Sequence, residues 1–401
     1  MANRFWVGGT ASWDGIAGTK WSTTSGGTGG EADPTVSDDV YIDANSGAVT
    51  ITVANTRVCQ NLNLSGFTGT LAGSAQISVY GSMLLSSSYT HTLTGNILFR
   101  ATSGIQTVTT AGVSVAGSLN FNGIGGEWRL QDDLTVTGTI TLTNGTLDFN
   151  NRNVTANALS SNATSVRTWK LGSGLITLTG SSLNKVNFAT TTNFTFDAGT
   201  STIKLTGSIS ADRNFLGGGL TFYDYWNATT GSFAVIITGS NTFNNFTIDP
   251  GRTQTFTAGT TQTINGTFSA LGTVGSPIVI NSSGAAFTLS KFSGIVGATY
   301  STISNSAAVG GANWRAFTTQ GNVDGGGNSG WDFTEEDWTK VSKPSNASYT
   351  NVNPVGKEQY DQSNILYDDP SIFYDGANFG AYTSVGKPTG TAYTSVAKPT
   401  S

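Results

Sequence analysis

Only 24 of the 401 residues are Asp or Glu, so any place where two acids fall close together has to be weighed as a catalytic pair. Glycoside hydrolysis needs two carboxylates roughly 5–9 Å apart, one to protonate the leaving oxygen and one to act as base or nucleophile. By spacing the candidates are Glu127 with Asp132 and Asp133, Asp148, and Asp197 with Asp224. Most of the acids stand singly beside Gly or Asn, where Asp is an ordinary turn former. So sparse a set predicts no active site. Glu335-Glu-Asp337 and Asp368-Asp369 have the carboxylates for calcium but not the spaced ligands of a dedicated loop. One Cys (Cys59) and one His (His91) exclude a disulfide framework within the chain, a Cys-based zinc site and the usual His clusters. His91, in Tyr89-Thr-His-Thr-Leu, alternates with its neighbours as an ordinary strand residue does. Gly217-Gly-Gly219 and Gly325-Gly-Gly327 lack the Lys-Ser/Thr of a phosphate loop and read as turns. The expectation is a chain without enzymatic activity, metal or cofactor.

Two sets of aromatic residues are better suited to binding. Phe222-Tyr-Asp-Tyr-Trp-Asn227 breaks the surrounding alternation and falls between repeat copies, where an insertion is expected to leave the main body. Phe222, Tyr223, Tyr225 and Trp226, flanked by Asp and Asn, would suit a sugar or protein surface, since Tyr and Trp give large contact area at low entropy cost. Packing of the rings back onto the body or into a subunit interface is the alternative, and the commoner use of such a cluster.

The second set follows Asp337. Trp338-Thr-Lys-Val-Ser-Lys-Pro344 is followed 11 residues on by Tyr349-Thr-Asn-Val-Asn-Pro354, and Tyr382-Thr-Ser-Val-Gly-Lys-Pro388 by Tyr393-Thr-Ser-Val-Ala-Lys-Pro399 at the same distance. Between them Tyr360-Asp, Tyr367-Asp and Tyr374-Asp repeat every seven residues. Aromatic-Thr-x-Val is a short strand that Lys-Pro stops, because proline lacks the ladder donor and restricts the residue before it. Pieces this short build no core of their own. Trp338, Tyr349, Tyr360, Tyr367, Tyr374, Tyr382 and Tyr393 are therefore expected to anchor the segment on another surface by strand addition.

The elements that must carry these residues follow from composition. Charged residues are 11% of the chain, against roughly a quarter in an average soluble domain. Thr, Ser, Asn and 52 glycines take their place, all poor helix formers. With 37% hydrophobic residues spread evenly, the chain is neither a helical bundle nor disordered; it reads as all-β. A net charge of −5 without a basic block excludes a nucleic-acid partner. No stretch approaches the roughly 20 apolar residues of a membrane span. The opening Met1-Ala-Asn-Arg-Phe-Trp lacks the apolar run of a signal peptide, so cytoplasmic synthesis without export is expected.

Three regions separate: 1–44, with Trp6, Trp13 and Trp21 in a glycine-rich background; 45–330, the Thr/Ser/Asn/Gly body; and 331–401, with five of the eight prolines. In the body, Leu134, Val136, Ile140, Leu142, Leu147 and Phe149 alternate with Thr, Asn and Asp and are broken at Gly138 and Asn144-Gly145. Each short run so gains one apolar and one polar face. Apolar pairs (Leu62/Leu64, Leu119/Phe121, Val186/Phe188, Phe246/Ile248) precede strand-ending glycines (Gly81, Gly138, Gly207, Gly266) by 17 to 19 residues, and these glycines recur after 57, 69 and 59 residues. Such units, about 60 residues long, predict a right-handed parallel β-helix, or β-solenoid, in which a coil buries its apolar face only by stacking on its neighbours. Coils of roughly 20 residues would give about 14 turns and a rod on the order of 65 Å. A row of β-sandwich domains is the rival, but those take about 100 residues each. The tryptophan-rich start and the segment from Ala312-Asn-Trp-Arg315 to Gly330-Trp-Asp-Phe333 are expected to cap the two open ends, and 331–401 to form an extended, largely irregular arm.

Phe5-Trp-Val-Gly-Gly-Thr-Ala-Ser-Trp13 with Asp38-Asp-Val-Tyr-Ile-Asp43 resembles the start of β-solenoid adhesins and virion proteins, and Gly310-Gly-Ala-Asn-Trp314 to Phe333 resembles the endings of the same groups. The Tyr-Thr-x-Val-x-Lys-Pro repeats and Tyr367-Asp-Asp-Pro370 are similar to C-terminal segments of tailed-bacteriophage structural proteins. The body matches in style only. The resemblance implies a virion component of the fibre, spike or capsid-decoration type. Its implied partners are other copies of itself, as a homotrimer or multi-copy assembly, other virion proteins and a host-surface glycan. A bacterial adhesin and a polysaccharide-degrading tailspike are the alternatives.

Overall fold

A computed structural model describes residues 2–334. They form an all-β parallel solenoid with no α-helix, only two short 3-10 turns at Ala44–Ser46 and Thr318–Gln320. Each coil contributes up to three short strands, one to each face of the rod. Arg57–Cys59, Leu62–Asn63 and Thr70–Gly73 make one coil, and Ile77–Val79, Met83–Leu84 and Thr90–Leu93 stack in register on the same three positions. The first face runs through 13 successive strands, from Arg57–Cys59 to Val323–Asp324, so the rod has about 13 turns. Another carries an 11-stranded ladder from Ser114–Val115 to Trp331–Asp332.

Alternation explains the interior. In Thr202–Leu205, Ile203 and Leu205 are buried while Thr202 and Lys204 face outward, and the next strands repeat the pattern. Inward rings stack from coil to coil, as with Phe99 on Phe121 at 4.6 Å and Phe256 on Phe287 at 4.4 Å. Outside and at the corners, amide ladders replace charges: Asn144 Nδ2 donates to Asn122 Oδ1 at 2.6 Å and Asn214 Nδ2 to Asn184 Oδ1 at 2.9 Å. These bonds run between coils, so uncharged polar side chains hold the stack together.

The structural repeat is the single coil, not the unit of about 60 residues. Along the first face the register offset is 19 between Ile140 and Leu159 but 29 between Val186 and Phe215. The recurring glycines mark different corners: Gly81 precedes a strand of the second face, and Gly138 one of the first.

At the N-terminal end the first strand is paired on both sides. Asn3–Trp6 lies parallel to Asp39–Tyr41 and antiparallel to Trp21–Ser22, so a reversed strand ends the ladder at this side. Trp6, Trp13 and Trp21 are buried and meet edge to face at 5.1 and 5.2 Å. At the other end, Asn313–Arg315 and Trp331–Asp332 do not lie across the rod; they pair in parallel and continue it, with Trp314 packed on Trp331 at 5.0 Å. The ladder thus reaches past 330 to Asp332. The calcium candidates at 335–337 and 368–369, and the arm anchors Trp338, Tyr349, Tyr360, Tyr367, Tyr374, Tyr382 and Tyr393, lie outside the described residues.

Candidate functional site

The aromatic segment at 222–227 does not leave the rod. Asp224–Asn227 is a regular strand, paired in register with Thr202–Leu205 before it and Asn245–Ile248 after it. Just ahead of it, Thr221 bridges to Thr242 on the preceding face. The run looked irregular only because a coil corner falls inside it. Its rings therefore divide by strand alternation. Phe222 and Tyr225 point inward and are 2% and 1% exposed, so as surface contacts these two residues are corrected to core. Phe222 stacks on Phe243 at 5.5 Å, and Tyr225 on Phe246 at 4.5 Å. Tyr223 and Trp226 are half-buried at the surface.

On the inner side of this strand the polar side chains pair with one another. The Tyr225 hydroxyl donates to Gln254 Oε1 at 2.8 Å, and Asn227 Nδ2 donates to the same oxygen at 3.2 Å. Gln254 Nε2 donates to the Val235 carbonyl at 2.8 Å. Burial raises the Tyr225 hydroxyl well above the ordinary tyrosine range, keeping it a neutral donor.

Outside, Trp226 is held on two sides. Lys204, its register partner, places Nζ 3.4 Å from the centre of the ring, a cation–π contact. The indole Nε1 donates to Asp249 Oδ1 at 2.7 Å. The opposite register partner is Thr247, too short to cover the ring. A groove of about 420 Å³ lies here, lined by Leu175, Thr202, Asp224, Trp226, Asn245 and Thr247 among others. Asp224 Oδ1 takes Asn245 N at 3.1 Å, Asn245 Nδ2 at 2.8 Å and Asn244 Nδ2 at 3.3 Å. These three donors all meet one oxygen, which leaves Oδ2 as an acceptor. A second groove, of about 260 Å³, runs past Tyr223, Phe196 and Asp197 on the adjoining corner.

The other candidate acids are bonded within or between coils. Glu127 and Asp148 both bind Arg129, each at 3.0 Å. Asp132 accepts the Thr110 amide at 2.9 Å, and Asp133 accepts the Asn153 amide at 2.9 Å. Asp197 accepts Gly199 N within its own turn at 2.9 Å. His91 lies in the strand Thr90–Leu93, with Nδ1 2.7 Å from the Tyr89 hydroxyl; burial lowers its basicity. Cys59 is fully buried, and burial pushes its thiol far above the usual range, away from thiolate chemistry. Among the described residues no group of three or more His, Cys, Asp or Glu side chains could hold a metal ion.

Sequence reasoning overlooked Lys204 and Asp249, which clamp Trp226 from 22 residues before it and 23 after. It also overlooked Asp33, whose Oδ1 accepts the indole N–H of Trp13 at 3.1 Å and of Trp21 at 3.2 Å. No local signal marks these residues, because each acts on a ring 12 to 23 residues away in sequence. Comparison of the chain with protein-family models, with curated proteins and with solved structures returns no match.

Proposed function

We propose that this chain is a non-enzymatic structural component of a tailed-bacteriophage particle, a rigid solenoid fibre, spike or capsid-bound decoration element. It is assembled in the host cytoplasm in multiple copies and attached through residues 338–401. The observation that carries the reading is the rod itself: about 13 coils stacked in register, with carboxylates such as Asp132, Asp133 and Asp148 bonded to neighbouring coils. A stack of this kind transmits force along its axis and presents long, charge-poor faces, which suits a mechanical part. The aromatic-Thr-x-Val-x-Lys-Pro repeats supply regularly spaced anchors for strand addition on a particle. Antiserum raised against residues 2–334 should label purified phage particles in immuno-electron microscopy, and particles built with a chain lacking 338–401 should lose the label. Labelling of the cell envelope in uninfected cultures would overturn the reading in favour of an adhesin.

A further inference from the structure

The groove beside Trp226 has the parts of a binding subsite. The indole is fixed in orientation, with Lys204 over one face and Asp249 at the ring nitrogen, so a ligand need not order it on arrival. Its other face borders the groove, because the next outward position in the register is the short side chain of Thr247. On the adjoining outward column, Thr202, Asp224 and Asn245 stand side by side on successive coils. Asp224 Oδ2 offers an acceptor there, and the Thr hydroxyls offer both donors and acceptors. A flat apolar surface next to a row of hydroxyl-matching groups is the chemistry of a pyranose ring, whose C–H face stacks on an aromatic while its hydroxyls bond sideways.

Charge narrows the ligand further. No cation lines the groove, and Lys204 is engaged on the far face of the ring. The one charged side chain lining the groove is the carboxylate of Asp224, while Asp249 sits at the edge of the ring. A uronic acid or sialic acid would meet Asp224 with like charge. We infer that the Trp226 groove binds a neutral oligosaccharide running along the rod across successive coils. This names the partner for the surface-contact part of the proposed function and rests on that reading only for where such a glycan is met.

The test is a glycan array followed by calorimetry, using the purified full chain. Neutral hexose and N-acetylhexosamine oligomers should bind and acidic ones should not. Trp226→Ala should weaken binding by at least about tenfold, and Trp226→Phe, which keeps a stacking face, by less. Thr267→Trp, which fills the groove from the next coil without touching the partners of Trp226, should also abolish binding, so a folding defect in one variant does not decide the matter. Asp224→Asn should admit acidic glycans. Absence of any neutral-glycan binding, equal binding by Thr267→Trp, or preference for acidic glycans would each overturn the inference. None of these results bears on particle labelling, so the two readings fail separately.

Discussion

Asp33 holds the N-terminal end of the rod, and its removal gives a test of how the stack is built. Its Oδ1 accepts the indole N–H groups of Trp13 and Trp21, and its Oδ2 pairs with Arg57 Nη1 at 3.0 Å. Both tryptophans are at most 1% exposed, and after Asp33→Ala both indole N–H groups lose their carboxylate acceptor. A hydrogen bond to a charged group contributes about 1.5–3 kcal/mol, and an orphaned buried donor costs about 1–3 kcal/mol. The Arg57 pair is partly exposed and adds about 1 kcal/mol at most. The expected loss is about 3–5 kcal/mol, confined to the first coils because a solenoid is stabilised by nearest-neighbour contacts. Hydrogen–deuterium exchange should show protection of Asn3–Trp6, Ala11–Trp13 and Trp21–Ser22 falling by a factor on the order of 10²–10⁴, with Ile278–Ser282 unchanged. Asp33→Asn keeps an acceptor oxygen and should cost only about 1 kcal/mol. Unchanged protection of the first strands after Asp33→Ala would refute the clamp. Protection lost evenly along the whole rod would refute the local character of the stack.

Other substitutions probe the interior. Arg167 is buried and donates to Ser161 Oγ at 2.8 Å and to the carbonyls of Ser161, Ser165, Thr190 and Thr192; Arg167→Lys cannot span these acceptors and should lower unfolding free energy by about 3 kcal/mol, whereas a loss under about 1 kcal/mol in chemical denaturation would contradict the assignment. Lys185 is buried, and desolvation, helped by the charge of Arg213, brings its ammonium down to about 8 from 10.5. Between those two values the unfolded chain binds the extra proton, so stability should rise by about 3 kcal/mol as pH climbs through the window, and below it the burial penalty is present in full. Lys185→Met should be more stable than the parent at pH 7 and should lose that rise; parallel pH profiles of the denaturation midpoint would rule the account out. Gly95→Ala would set a Cβ 1.9 Å from the Ala75 carbonyl oxygen of the preceding coil and should cost about 1–3 kcal/mol, while Gly297→Ala, with nothing within 4 Å, should change the melting temperature little.

The period of two is a property of each strand alone, since successive side chains point to opposite sides whatever the strand pairs with. That is why the all-β class, the stacked-coil architecture and the inward residues of Leu134–Val136 could be read directly from residue order. The burial of Trp6, Trp13 and Trp21 was legible for a similar reason: large apolar rings in a charge-poor, glycine-rich stretch have to be buried somewhere. A mean coil of roughly 20 residues was legible, with about 14 turns expected and about 13 found, but the individual coil boundaries were not, because coil corners carry no fixed spacing. Gly95, Gly117 and Gly138 recur because each brings its backbone close to the carbonyl of the coil before, with a Cβ on Gly117 falling 2.3 Å from the Gly95 oxygen and one on Gly138 falling 2.6 Å from the Gly117 oxygen. The glycines that suggested a unit of about 60 residues serve different corners. The same physics hid the site. Residue types alone drew attention to Phe222–Trp226, but only the corner position decided that Phe222 and Tyr225 go in and Trp226 out. Lys204 and Asp249 became its neighbours through coils of one particular length. Local chemistry determined which residues prefer the interior; the stacking register, a cooperative outcome of every corner before it, decided which of them meet.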